Sequence, residues 1–201
     1  MIDQIIANKP NSIFDILPEE LFEFDINTNY ARSGICWEFD YAIAKTIQPT
    51  SYLELGVRFS YSFLPVLIGA GESLQKATGL DLEVYGNNAK SCENIRKYYK
   101  GNCEWDIQHC DTQLLTELPQ YYTLIKIDAC HDYDAKIHDL NLTIGHAKYV
   151  WIDDIDYLVD VRRAVFDWLS RVGADGWGRK SLIEWAAYIP CFRGGMLIKY
   201  V

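Results

Sequence analysis

The feature that most constrains this chain is a rhythm. Short runs, most of them apolar throughout, alternate with amphipathic segments of helical spacing. Tyr52–Gly56, Gln75–Asp81, Glu104–His109, Tyr122–Asp128 and Tyr149–Ile152 read as strands. Helices are predicted from Ile35, from Ser60 or Ser62 (which would cap it), and over Asn88–Tyr99, Tyr133–Ile144 and Val159–Val172. In the first of these, Ile35, Phe39, Ala42, Ile43 and Ile47 recur at helical spacing until Pro49 stops the run. In the last, Val161, Val165, Trp168 and Leu169 face inward. Strands without an alternating polar face are buried on both sides, so they imply a parallel sheet covered by helices. Leu182–Ile189 and Met196–Val201 close the pattern as a hairpin around Arg193-Gly194-Gly195. The expected fold is α/β: a doubly wound, Rossmann-like seven-stranded sheet, mostly parallel with an antiparallel C-terminal strand, and helices on both faces.

Residues 1–34 lack this rhythm. Pro10-Asn11-Ser12 and Leu17-Pro18-Glu19-Glu20 interrupt it, and Phe14, Leu17, Leu21, Phe22 and Phe24 are scattered anchors. They are expected to form an extension lying over a single domain of residues 35–201, or over a substrate entrance. A total of 201 residues suits that division.

The net charge of -9 makes the chain a poor polyanion binder, because phosphate contacts need clustered Lys and Arg. Nucleic acid and anionic membrane surfaces are therefore not expected partners. The start, Met1-Ile2-Asp3-Gln4, has neither the basic nor the apolar region of a secretory signal, and the apolar run between Arg58 and Glu72 is too short to span a bilayer. None of the six cysteines forms a C-x-x-C pair, so the expectation is reduced thiols in a cytoplasmic protein.

Strand ends carry the chemistry. Glu54 with Gly56, Asp81, Asp111, Asp128 with His131, and Asp153 with Asp154 each follow a strand. Open α/β sheets bind ligands beyond the carboxyl ends of their strands. Acids gathered there repel one another unless ribose hydroxyls, a ligand cation or a metal ion satisfies them.

The stretch Leu124-Ile125-Lys126-Ile127-Asp128-Ala129-Cys130-His131-Asp132-Tyr133 resembles a "D-L-I-H-I-D-G-x-H-x-Y" motif. It is followed by Val150-Trp151-Ile152-Asp153-Asp154 and the helix start Val161-Arg162-Arg163-Ala164-Val165. On these residues the chain resembles the class I S-adenosylmethionine-dependent methyltransferases, in the metal-dependent macrolide-sugar and catechol-type O-methyltransferase branch. Glu54, Gly56 and Ser62 match the family's E-x-G-x-x-x-G-x-S pattern, with Ser60 where a second Gly is usual. Thr78-Gly79-Leu80-Asp81 is similar to the motif whose acid holds the ribose hydroxyls, and Cys110-Asp111-Thr112 to the one whose acid meets the adenine. The resemblance implies cofactor contacts from Glu54, Gly56, Ser60, Ser62, Asp81, Asp111, Thr112 and Asp128. It implies a divalent cation, Mg²⁺ by its oxygen ligands, on Asp128, Asp153 and Asp154. It casts His131 as a general base beside Asp128, with an ordinary pKa of ~6.5 that suits the role.

The implied reaction moves a methyl group to a hydroxyl of a small molecule. A sugar suits the proposed metal, because adjacent oxygens chelate. Trp177, Gly178, Arg179 and Lys180 are expected to shape the acceptor site, and self-association is common among the enzymes resembled. Two other readings compete. His109-Cys110-Asp111, with His131 or His146, has the spacing of an iron-binding facial triad. Alternatively, Ser60, and Gly145-His146-Ala147-Lys148 in place of a Gly-Gly pair, would mark a binding protein that has lost turnover.

Overall fold

The computed structural model describes residues 1–22, 36–82, 87–172 and 181–201. Its elements are α1 (Ile2–Asn8), α2 (Trp37–Ile47), β1 (Ser51–Leu55), α3 (Phe63–Ala70), β2 (Lys76–Asp81), α4 (Asn87–Tyr98), β3 (Glu104–His109), β4 (Tyr122–Ile127), α5 (Tyr133–Leu142), β5 (Ala147–Ile152), α6 (Val159–Val172), β6 (Ile183–Ile189) and β7 (Gly195–Tyr200). The strands form one seven-stranded sheet in the order β3-β2-β1-β4-β5-β7-β6. The first five pair in parallel, and β7 runs antiparallel to both β5 and β6. This is the expected doubly wound architecture.

The period of a strand explains the two cores. Tyr52, Leu124, Tyr149, Trp151 and Leu197 point to one face and pack with α1, α2 and α3. Leu53, Leu55, Ile125, Ile127, Val150 and Ile152 point to the other and pack with Leu140 of α5 and Val161, Val165 and Trp168 of α6. Those α6 residues recur at i, i+4 and i+7, one stripe of a helix. By the same alternation, Glu54 and Lys126 fall on the α2 side of the sheet.

Residues 1–22 pack along α2. Ile5, Ile13, Leu17, Leu21 and Phe22 are buried, Ile13 N–H donates to Glu38 Oε1 at 3.1 Å, and Asn8 Nδ2 donates to Thr46 Oγ1 at 3.0 Å. Phe22 stacks on Trp37 with ring centroids 5.1 Å apart. The rest of the expected extension, Ile35 and Trp177 to Lys180 lie outside the described residues.

Two expectations are corrected. Ser62 precedes α3 without capping it; its hydroxyl donates to Glu54 instead. The cysteines are not all thiols: Cys36 and Cys191, 155 residues apart, form a disulfide with Cα atoms 5.7 Å apart. Cys36 sits at the start of α2 and Cys191 just past β6, so the tertiary fold brings them together across the sequence. Such bonds persist in oxidising surroundings, which removes the support that reduced thiols lent to a cytoplasmic setting. Among the described residues, no helix is long and apolar enough to cross a membrane.

Candidate functional site

A cavity of about 640 Å³ opens beyond the carboxyl ends of the parallel strands. It sits where the strand order reverses, between β1 and β4. Its walls include Gly56, Ser62, Asp81, Asp111, Thr112, Asp128, His131, Asp153 and Asp154, so most of the predicted residues converge on one space.

Gly56 makes the convergence possible. Its φ is +89°, and a Cβ there would lie 2.4 Å from the Asp128 carbonyl oxygen and 2.6 Å from Ala129 N. Only glycine lets the loop after β1 lie against the loop after β4. Two residues of that first loop are also left-handed, Arg58 at +49° and Ser60 at +63°. A side chain in that region costs roughly 1–2 kcal/mol, which is why glycine is usual at Ser60's position. Ser60 is buried, donates to the Phe59 carbonyl at 2.5 Å and does not line the cavity.

Glu54 does not line it either. It is fully buried behind Ser62, whose hydroxyl donates to Oε1, while Tyr52 Oη donates to Oε2 at 2.6 Å. Burial pushes its carboxyl up to about 8, against the pull of Lys126. Glu54 therefore touches the cavity only through Ser62.

The other strand ends are wired to backbone. Asp81 Oδ2 accepts from Arg58 N–H at 2.6 Å, and burial raises its carboxyl above the ordinary range. A carboxylate has about four lone-pair sites, so acceptor capacity remains for a ligand diol. Asp111 Oδ1 accepts from Gln113 N–H at 3.0 Å, and Gln113 Nε2 donates to Asp139 Oδ1 at 3.0 Å. Leu80, Val57 and Ala129 supply apolar wall between these acids, and Trp37, Phe59 and Tyr61 form an aromatic wall beside Ser62. Together they offer what an adenosine needs: a diol acceptor, polar edge contacts and an apolar slot.

Beneath the acids lies a residue that sequence reading passed over. Lys126, in the middle of β4, is fully buried. Its ammonium is 3.0 Å from Asp40 Oδ2, 3.3 Å from Asp153 Oδ2 and 3.5 Å from Asp128 Oδ2. Asp40 Oδ1 also accepts from Trp151 Nε1 at 2.8 Å. A lysine in an apolar run was itself the signal, since a buried ammonium needs partners. Burial works against ionisation of Asp128, but Lys126 and then His131 outweigh it and hold the carboxyl at about 2. Asp153 goes the other way: burial, then its Asp128 neighbour, pushes it up to about 8.

His131 is 41% exposed, with Nε2 3.2 Å from Asp154 Oδ2 and 3.7 Å from Asp128 Oδ1. Hydrogen bonds to Asp128 and then Asp154 raise the imidazole to about 9. At pH 7 only roughly one molecule in a hundred then carries it neutral. The ordinary value assumed from sequence does not hold here.

The predicted metal ligands separate. Asp153 turns to Lys126, while Asp128, His131 and Asp154 bring one ligand atom each within 4.8 Å of one another. Asp154 stands at φ +61°, and Arg193 Nη1 lies 3.1 Å from its Oδ1 and 3.5 Å from its Oδ2. Both oxygens of Asp128 and of Asp154 thus already face nitrogen donors. Two carboxylates and an imidazole, with Lys126 and Arg193 already beside the carboxylates, depart from the all-oxygen set that suits Mg²⁺ best. Arg193, from the turn before β7, had been read only as part of a hairpin. The facial triad is also corrected: among the described residues, neither His109 nor His146 joins a metal-ligating group.

Strand order and cavity give the fold, and it is one that solved O-methyltransferase structures share. Three solved structures share it. The O-methyltransferase from Bacillus cereus in complex with S-adenosylhomocysteine is 13% identical, with a TM-score of 0.67 over 99% of this chain and 100% of that one. The S-adenosylhomocysteine-bound Podospora anserina methyltransferase PaMTH1 is 16% identical, with a TM-score of 0.64 over 99% and 88%. TomG, an O-methyltransferase of Streptomyces achromogenes involved in tomaymycin synthesis and bound to S-adenosylmethionine, is 10% identical, with a TM-score of 0.62 over 99% and 90%. No family model and no curated protein matches the chain.

Proposed function

We propose that this chain is an S-adenosylmethionine-dependent O-methyltransferase acting on a hydroxyl of a small molecule, such as a sugar. The observation that carries the reading is the meeting of Asp81, Asp111 and the Asp128–His131 pair, from three strand ends, in one cavity of a fold whose solved examples hold S-adenosylmethionine or S-adenosylhomocysteine. The net charge of -9 argues against a nucleic-acid acceptor.

S-adenosylmethionine, when bound, supplies an electrophilic methyl group on a cationic sulfur. Asp81 would accept from its ribose hydroxyls, and Asp111 and Gln113, the latter held by Asp139, would meet its base. Its chemistry would be a single displacement in which the acceptor oxygen gains the methyl group and the carbon–sulfur electron pair stays on sulfur. Positioning dominates such a displacement. The hydroxyl proton must leave, and His131 is the exposed base within reach of the cavity. It first has to give up the proton that Asp128 and Asp154 stabilise.

A divalent cation shared by Asp128, His131 and Asp154 is the second reading, favoured by the closeness of their ligand atoms. Calorimetry with S-adenosylhomocysteine, then methyl-labelled cofactor with a panel of sugars and other hydroxylated compounds, tests the main reading. Saturable binding and label transfer to oxygen are expected. A folded protein that ignores millimolar S-adenosylhomocysteine would end it.

A further inference from the structure

Lys126 on β4 and Asp128 just past its end are two residues apart, and their side chains meet on the same side, Nζ 3.5 Å from Oδ2. Asp153 follows the neighbouring strand, β5, and Asp40 comes from the helix packed above. An ammonium has three donors and no acceptor, and here three carboxylates surround it at 3.0, 3.3 and 3.5 Å. The third cavity acid, Asp154, is 5% exposed and is held from the side by Arg193, whose guanidinium also lies 4.6 Å over the Tyr157 ring. The three carboxylates assigned to metal by sequence therefore already face fixed organic cations: Asp128 and Asp153 share Lys126, and Asp154 has Arg193.

We propose that Lys126 and Arg193 take over the orienting and charge-balancing work of a divalent cation, so that this site transfers methyl groups without bound metal. The inference rests on the methyl-transfer reading and deepens it. A metal favours acceptors that chelate through two adjacent oxygens. A site ordered by Lys126 and Arg193 has no such demand and accepts a lone hydroxyl, so the acceptor class widens from diols to simple alcohols and phenols. Lys126 does not line the cavity, and so it acts as a positioning residue.

The test uses the intact chain. After chelation by EDTA, calorimetry with MgCl₂ and MnCl₂ should show no saturable binding at millimolar levels, and label transfer should be equal with EDTA or Mg²⁺. Saturable binding, or activity lost in EDTA and restored by Mg²⁺, overturns the proposal. Arg193→Gln removes the guanidinium from Asp154 and should turn absent Mn²⁺ binding into saturable binding at millimolar levels. An Arg193→Gln protein that binds Mn²⁺ no better than its parent also overturns it. Lys126→Met should melt lower in EDTA and recover with Mn²⁺; if it does not fold, the Arg193→Gln titration decides. Failure to bind S-adenosylhomocysteine sinks methyl transfer but leaves the cation titrations standing, so the two ideas fail separately.

Discussion

Replacing Gly56 by alanine tests the geometry on which the whole site depends. Two costs add. The left-handed backbone, φ +89°, penalises a Cβ by roughly 1–2 kcal/mol. The new methyl would also lie 2.4 Å from the Asp128 carbonyl oxygen and 2.6 Å from Ala129 N, which are backbone atoms that cannot swing aside. Overpacking of this kind costs typically about 1–3 kcal/mol. The sum is about 2–5 kcal/mol, or a fall of roughly 5–15 °C in melting temperature for a domain of this size. Gly145 is the matched control. Its φ is +75°, yet a Cβ there meets nothing within 4 Å, so Gly145→Ala should carry the backbone cost alone. Urea unfolding followed by tryptophan fluorescence measures both. Relief of the clash must move the Asp128 loop, so Gly56→Ala should also weaken S-adenosylhomocysteine binding while Gly145→Ala leaves it intact. Equal destabilisation by the two changes, with cofactor affinity preserved in both, would refute the close-approach reasoning.

The remaining expectations concern charge and cross-linking. If His131 removes the proton, kcat/KM should climb about tenfold per pH unit from 7 and level near 9, where hydrogen bonds to Asp128 and Asp154 have placed its pKa; a plateau already reached at pH 7 excludes it. Stability moves oppositely: the raised histidine contributes fully below its unfolded value of 6.5, and that share is lost as pH rises through about 9, visible as a falling urea midpoint that His131→Gln abolishes. Asp40→Ala strips a buried partner from Lys126 and Trp151 and should cost about 3–5 kcal/mol in urea unfolding, while a loss under about 1 kcal/mol would mean that Asp128 and Asp153 suffice. Reducing Cys36–Cys191, which closes a span of 155 residues, should lower stability by about 2–4 kcal/mol, and an unchanged midpoint in reductant or in Cys191→Ser would contradict the bond.

The fold was legible because β1, β2, β4 and β5 are buried nearly throughout, without polar alternation, and each of these four is followed by a helix. The strand-end acids were legible for a related reason: a sheet of this kind delivers them to one edge, and Asp81, Asp111 and Asp128 all arrived there. What sequence could not supply was the direction each side chain takes. Glu54 has a strand-end position like the rest, yet alternation turns it under Ser62 and away from the cavity. Asp153 and Asp154 are neighbours that face opposite cations. Lys126 finds Asp40 across 86 positions, and Trp151 finds the same carboxylate across 111; no local pattern records either meeting. The disulfide was hidden in the same way.

The placement of β7 between β5 and β6 has a consequence for synthesis. A nascent chain that has delivered residues 183–189 has nowhere to dock them, because their only sheet neighbour has not yet left the ribosome. Until residues 195–200 follow, β5 keeps a bare row of peptide groups along one side, next to the acids of the cavity. Arg193 arrives with the same late hairpin. Pairing of β5 and the arrival of Arg193 at Asp154 are thus one event, and a chain stalled before it would carry an unpaired strand edge beside the cavity.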